Sequence, residues 1–184
     1  KTSEGEFTAD AVIWAGGEYQ FPKTDVCEGS ELAIHNTKVG SWKDLKEDFF
    51  PIVGGYESGF DTAISLAKVG KKSVIFDSGD NLNDTRSDSS YSLSPYTKDR
   101  IRTYQDSISI KLNTRIKKIE KRDDKYLLTT DQGEDFEFEA RPILATGFKT
   151  SLTQVEDFFE WKDDSLQLTE EDESTVVDNF FLVG

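Results

Sequence analysis

Ile52-Val53-Gly54-Gly55-Tyr56-Glu57-Ser58-Gly59-Phe60-Asp61-Thr62-Ala63 is the stretch that decides how this 184-residue chain is read. The apolar run Phe49–Val53 enters a glycine turn. Phe60, Ala63, Ile64 and Ala67 then recur at helical spacing up to Gly70, and Ser73–Phe76 is a second apolar strand closed by Asp77. A proline inside a sheet costs a ladder hydrogen bond, so the first strand is expected to begin at Pro51 or just before it. Strand, turn, helix, strand and acid in immediate succession are what a dinucleotide-binding fold requires. Gly54 permits the tight turn, Gly59 lets the helix pack on the strand, and the helix N-terminus, with Gly55 and Ser58 beside it, turns free N–H groups toward a pyrophosphate. Asp77 stands 23 residues after Gly54, near the ~20-residue offset at which a carboxylate accepts from ribose hydroxyls. Two residues depart from the pattern. Tyr56 takes the place where a second glycine lets backbone approach the pyrophosphate, and Glu57 sets a negative charge near an anion site.

Outward from this unit, the chain reads as α/β. Thr8–Gly17 and Leu32–His35 are apolar runs of strand character, and Gly70 ends a helix expected over Ser58–Val69. After the polar loop Asn81–Ser94, Ser94-Pro95 begins a second helix reaching about Gln105, with Ser94 as its cap. Ile108–Ile110 is a third parallel strand. Arg115–Lys121, Tyr126–Thr130 and Asp135–Ala140, separated by Asp123-Asp124 and Asp131-Gln132-Gly133, predict an antiparallel meander, because Phe136, Phe138 and Ala140 alternate with Glu137 and Glu139. Pro142–Ala145 and Asn179–Val183 complete the strands, and Thr153–Phe159 is a short helix.

Charge and composition remove several classes of function. The 36 acidic and 22 basic side chains leave a net charge of −14, which repels nucleic acid and anionic membranes. Hydrophobics at 35% and aromatics at 12% exceed what a disordered chain carries. Cys27 alone allows neither an intrachain disulfide nor a Cys-x-x-Cys redox pair, and with His35 it cannot build a standard zinc centre. No apolar run approaches the roughly 20 residues of a membrane span, and the first ten residues lack the apolar segment of a signal peptide. A reducing cytoplasm is the expected compartment.

Phe50–Ser78 resembles the NAD(P)-binding domain of flavin-dependent oxidoreductases with two dinucleotide-binding domains, most closely the flavin-containing monooxygenase-like branch. Further pieces match in the family's order. Asp10-Ala11-Val12-Ile13-Trp14-Ala15-Gly16-Gly17, with Tyr19 and Pro22, resembles the crossover leaving the FAD domain, Gly16 replacing the usual Thr. Ile34-His35-Asn36 resembles the His-Ser step before the nucleotide domain, Ile143-Leu144-Ala145-Thr146-Gly147-Phe148 the crossover back, and Ser174–Gly184 a short flavin motif. The resemblance implies that residues 36–150 are the nucleotide domain, flanked by connectors 1–35 and 151–184 from a FAD domain absent from this stretch. The expected ligand is NAD(P)H, placed by Gly54, Gly55, Tyr56, Glu57, Ser58, Gly59, Asp77, Ala145, Thr146 and Gly147, and FAD belongs to the longer protein. A piece cut from such an enzyme is expected not to turn over, and its apolar edges at Phe180, Phe181 and Leu182 are expected to self-associate. Asp77 favours NADH, since a carboxylate repels a 2′-phosphate; Arg86 lies in the loop from which relatives read that phosphate, but its preferred reading is an ordinary exposed loop cation.

Other residues carry blander readings. His35 is either the family's pre-domain histidine or a satisfied structural residue. Ser58 is a phosphate donor or a helix cap. Cys27, beside Asp25 and Glu28, is expected to have a raised thiol pKa. Ser87–Ser94 contain no nucleophile elbow, Glu170–Glu173 lack calcium-loop spacing, and Lys117, Lys118, Lys121 and Arg122 form a solvated stripe. Tyr91, Tyr96 and Tyr104 are pocket or packing residues near the second helix. Two other functions remain in view: a Rossmann-like interaction domain that lost its ligand, to which Tyr56 and Glu57 point, and a single-domain NAD-dependent dehydrogenase, against which the absence of a Tyr-x-x-x-Lys pair counts.

Overall fold

Alternating side chains give the central strands two apolar faces, and each face acquires its own cover. The computed structural model describes residues 4–17, 19–86, 92–163 and 165–183. Two units emerge: Pro22–Gly147, and Lys1–Phe21 together with Phe148–Gly184.

Within Pro22–Gly147 lies a five-stranded parallel sheet in the order Ile34–His35, Ile143–Leu144, Phe49–Val53, Lys72–Phe76, Ile108–Lys111. Phe50, Ile52, Ile75, Ile108 and Ile143 point to one face, where they meet Phe60, Ala63, Ile64 and Leu66 of helix α1 (Glu57–Lys68) and Ile101 of helix α2 (Pro95–Thr103). Val53, Val74, Phe76 and Leu144 point to the other, against Ile116, Ile119, Leu128 and Phe138 of an antiparallel sheet formed by Ile116–Arg122, Lys125–Thr130 and Asp135–Phe138. The meander therefore packs where the alternation of Phe136 and Phe138 put it. Strands feeding helices on one side and a meander on the other make the α/β fold expected from sequence.

Two expectations shift. The first strand starts at Phe49, so Pro51 is internal. Lys72 N donates to Asp48 O and Gly54 N to Phe76 O, which aims even-numbered amides at Lys72–Phe76 and leaves Pro51 facing the opposite side. There the ladder with Ile143–Leu144 begins only at Ile52, so the missing N–H costs nothing. Pro22–His35, read as connector, joins the sheet unit: Ile34–His35 is its edge strand, Glu28 N donates to Lys117 O, and Ile119 N donates to Glu28 O. Ile143–Leu144 is likewise an interior strand of this sheet.

The other unit holds the parallel pair Val12–Trp14 and Phe180–Leu182, and the antiparallel pair Glu160–Lys162 and Ser165–Gln167. Thr153–Phe159 forms two single 3-10 turns, Leu152–Gln154 and Glu156–Phe158, in place of one helix. Phe180 is not a bare edge: it is 7% exposed and packs with Leu152, Val155 and Phe159. Gly184 lies outside the described residues. No helix of the described residues is long and apolar enough to cross a membrane.

Candidate functional site

The carboxyl ends of the parallel strands open into a cavity of about 410 Å³, the place where open α/β sheets bind ligands. Its floor and walls are Gly54, Gly55, Tyr56 and Ser58 after the first strand, Asp77, Ser78 and Asn81 after the second, Thr114 and Arg115 after the third, and Ala145–Gly147 after the interior strand, with Lys23 at the rim. All lie within Pro22–Gly147.

Close approach explains the glycines. Gly54 has φ +116°, and a Cβ there would stand 2.2 Å from the Ala145 carbonyl oxygen. A Cβ on Gly59 would stand 2.0 Å from Gly54 O, and one on Gly55 would stand 2.3 Å from Asp77 Cβ and Cγ. The turn is thus wedged among backbone and one acid, and only hydrogen fits. It delivers the chain into α1, where Gly59 N is the first amide bonded back, to Tyr56 O at 2.9 Å. The amides of Glu57 and Ser58 precede it and have no intrahelical acceptor, so they present positive partial charge at the cavity side. Ser58 does not cap α1; the N-cap position is Tyr56, without a side-chain bond.

The two residues that broke the glycine pattern are anchored elsewhere by their side-chain ends, although Tyr56 still contributes to the cavity wall. Tyr56 packs its ring against the α1-side core, and its hydroxyl donates to Ser92 O at 3.3 Å. Glu57 directs its carboxylate to α2: Oε1 accepts from Ser94 N at 2.5 Å and Oε2 from Thr97 Oγ1 at 2.5 Å, while Ser94 Oγ accepts from Thr97 N. The negative charge expected at the anion site instead sits on the N-terminus of a neighbouring helix, where the helix dipole favours it.

Asp77 is the second surprise. It is 1% exposed. Oδ1 accepts from Gly79 N and Asn81 Nδ2, and Oδ2 accepts from Asn81 N, each at 3.0 Å. The acid lines the cavity, but its bonds hold the 77–81 turn. Ala145 N donates to Val53 O, Thr146 Oγ1 donates to Lys23 O, and Gly147 O accepts from Lys23 N and from His35 Nε2. His35, 3% exposed, donates through Nε2 and accepts at Nδ1 from Thr37, so it is a satisfied structural residue. Burial pushes its pKa down, with the nearby Lys38 charge adding to that and the Gly147 bond opposing it.

Arg86 does not reach this cavity. Its Nε and Nη2 grip the Asp84 carboxylate, and it lines a separate recess with Pro95, Lys98 and Arg102. The guanidinium holds the Asp84 carboxyl down to about 2. Cys27 packs against the meander-side core, and burial, then Glu31, pushes its thiol up. Lys118 pairs with Glu28 and Glu120, Arg122 with Glu120, and Lys121 lies over Tyr126. Tyr96 is exposed beneath Arg100, and Tyr104 packs on the α1-side core. Ser87–Ser90 and Tyr91 lie outside the described residues. Among the described residues, no three His, Cys, Asp or Glu side chains are grouped to hold a metal. Sequence reading passed over Lys23, Asn81, Thr114 and Arg115; the signal available was that Thr114 and Arg115 closely follow the end of a parallel strand, where ligands are met.

The sequence profile of the family described as pyridine nucleotide-disulphide oxidoreductase matches residues 1–184. Lactococcus lactis thioredoxin reductase superposes with a TM-score of 0.75 at 16% identity, over 100% of this chain and 60% of that one. T. acidophilum thioredoxin reductase gives 0.74 at 14%, over 100% and 60%. A pyridine nucleotide-disulfide family oxidoreductase from Enterococcus faecalis V583 gives 0.69 at 16%, over 97% and 41%. At such identities the likeness is one of fold, and the chain spans 41% to 60% of these proteins' lengths.

Proposed function

The chain belongs to the pyridine nucleotide-disulphide oxidoreductase family, and from that premise we propose that Pro22–Gly147 binds a nicotinamide dinucleotide within a flavin-dependent oxidoreductase. The observation that carries this reading is the cradle at Gly54, Gly55 and Gly59. A side chain at any of the three would collide with Ala145 O, Asp77 or Gly54 O, so glycine keeps the turn tight against its neighbours and brings bare backbone and the open amides of α1 to the cavity. A pyrophosphate fits that combination of bare backbone and positive dipole end. Gly54–Ser58 would hold the phosphates, the 77–81 turn would support the adenosine ribose, and Ala145–Gly147 would border the nicotinamide half.

A reduced nicotinamide, when bound, supplies a hydride, and a flavin accepts one. The residues of this chain orient the donor: the glycine cradle fixes the phosphates, and the cavity walls align what extends from them. FAD itself does not fit these residues alone. The unit containing Val12–Trp14 and Phe180–Leu182 has no α-helix among its described residues, hence no helix N-terminus for the flavin's own pyrophosphate. The single cysteine supports a branch whose nucleotide domain carries no redox-active cysteine pair, in keeping with the monooxygenase-like motifs. The chain by itself would bind nucleotide without turnover.

Calorimetric titration of the 184-residue chain with NADH and NADPH tests this. One-to-one binding of at least one is expected, and heat from neither up to millimolar ligand would refute it. The competing reading, a Rossmann-like shell that has lost its ligand, rests on Tyr56. It prevails if binding appears only after Tyr56→Gly.

A further inference from the structure

Three charged side chains line the cavity beside the glycine cradle: Lys23, Asp77 and Arg115. Asp77, the acid that ordinarily accepts from ribose hydroxyls, has its bonding capacity directed elsewhere. A carboxylate offers about four lone-pair sites. Three face Gly79 N, Asn81 N and Asn81 Nδ2. An acid so committed to its own turn has at most one lone pair left for a sugar hydroxyl. The cations that line the same cavity are Lys23 and Arg115, and among the described residues neither side chain has an ion-pair partner.

Their places differ. Lys23 is tied through its backbone N to Gly147 O at 3.0 Å, on the side of the interior strand Ile143–Leu144. Arg115 lies on the opposite side of the glycine turn. Thr114 N donates to Asp77 O at 2.7 Å, and Asp131 N donates to Arg115 O at 2.9 Å, which clamps the backbone of Arg115 beside the end of the second strand. In sheet order the phosphate cradle follows Phe49–Val53, Asp77 follows the next strand, and Arg115 follows the one beyond. That order puts Arg115 past the pyrophosphate, at the ribose and base. A guanidinium there matches phosphate with a planar fork of donors.

Resting on the nucleotide reading above, we infer that Arg115 recognises a phosphate on the adenosine ribose, so the site selects NADPH over NADH. The preference for NADH expected from the Asp77 carboxylate is thereby reversed: the carboxylate organises the 77–81 turn, and Arg115 acts as the specificity residue.

Titrations of the parent chain, Arg115→Ala and Arg115→Lys with NADPH, NADH, adenosine 2′,5′-bisphosphate and AMP test the assignment. The parent is expected to bind NADPH about tenfold or more tighter than NADH, and the bisphosphate tighter than AMP by a similar factor. Arg115→Ala should lose about tenfold to a hundredfold for the 2′-phosphorylated ligands, the scale of a charge-assisted contact, and stay within about twofold for NADH and AMP; Arg115→Lys should fall between. Because Arg115 is exposed, an unchanged Tm will confirm that the variants fold. Equal losses for both ligand classes, or NADH binding as well as NADPH, would overturn the role of Arg115 while leaving the nucleotide reading standing. Binding of none of the four ligands would overturn both.

Discussion

Gly59 has no room for a methyl group, because its Cβ would meet Gly54 O at 2.0 Å, and that oxygen belongs to the turn that shapes the cavity. Backbone on both sides cannot swing aside as a long side chain does. Gly59→Ala is therefore expected to lower unfolding stability by about 1–3 kcal/mol or more and to weaken nucleotide binding together with it, measured by urea denaturation and calorimetry. A neutral result would mean that α1 does not pack so closely on the first strand. His35 makes a pH prediction at the same scale. Burial holds its pKa below the ordinary value of about 6.5, so the unfolded chain takes up a proton that the folded chain resists. The stability it contributes is complete above pH 6.5 and is lost as pH falls through the folded value. Between pH 7.5 and 5.5 the parent's Tm should drop further than that of His35→Gln; equal drops would show that this imidazole does not titrate differently on folding.

The α1–α2 junction depends on one carboxylate acting across elements. Glu57 belongs to α1 yet accepts from Ser94 N and Thr97 Oγ1 at the start of α2, so it supplements the Ser94 cap. Glu57→Gln keeps the shape and removes the charge, and is expected to cost about 0.5–2 kcal/mol, the range of a helix cap, while nucleotide affinity stays within about twofold. A carboxylate facing the phosphates would behave oppositely, with tighter binding and unchanged stability. This contrast marks where sequence reading succeeds and where it stops. Ser94-Pro95, Gly70 and the alternation of Phe136 and Phe138 announce element ends and faces through local chemistry, and α1, α2 and the meander lie within a few residues of their expected bounds. The identity of a side chain's partner is set by tertiary distance. Glu57 bonds 37 and 40 residues downstream, and His35 bonds Gly147 across 112. Asp77 was legible as an acid at a strand end, but the use of its carboxylate depended on how the Ser78–Asn81 turn folds back. Lys23 and Arg115 reach one cavity from opposite ends of the sheet unit, which no local pattern records.

For the whole molecule, the proposed ligand sets a charge problem, since a chain of net charge −14 would have to bind an anionic dinucleotide. Surface charge repels the ligand at long range, but the Debye length at 0.15 M salt is about 8 Å, so the field inside a cleft is set by the groups lining it. Here those are the open amides of α1, Lys23 and Arg115, while Glu57 is turned to α2 and Asp77 is enclosed by its own turn. Attraction is therefore confined to one end of one sheet, all of it within Pro22–Gly147, and the effect of ligand on backbone protection should be confined likewise. With NADPH at about a hundred times its Kd, mass action adds about 2.7 kcal/mol to the stability of the unit that binds it. Hydrogen exchange should then slow at Gly54–Ser58, Asp77–Asn81, Thr114–Ile116 and Ala145–Gly147, and through the parallel strands beneath them. Val12–Trp14, Phe180–Leu182 and the Glu160–Lys162 pair should exchange at their ligand-free rates. Protection spreading equally into that second unit would show that the nucleotide contacts or orders both, and the site would have to be redrawn with residues from each.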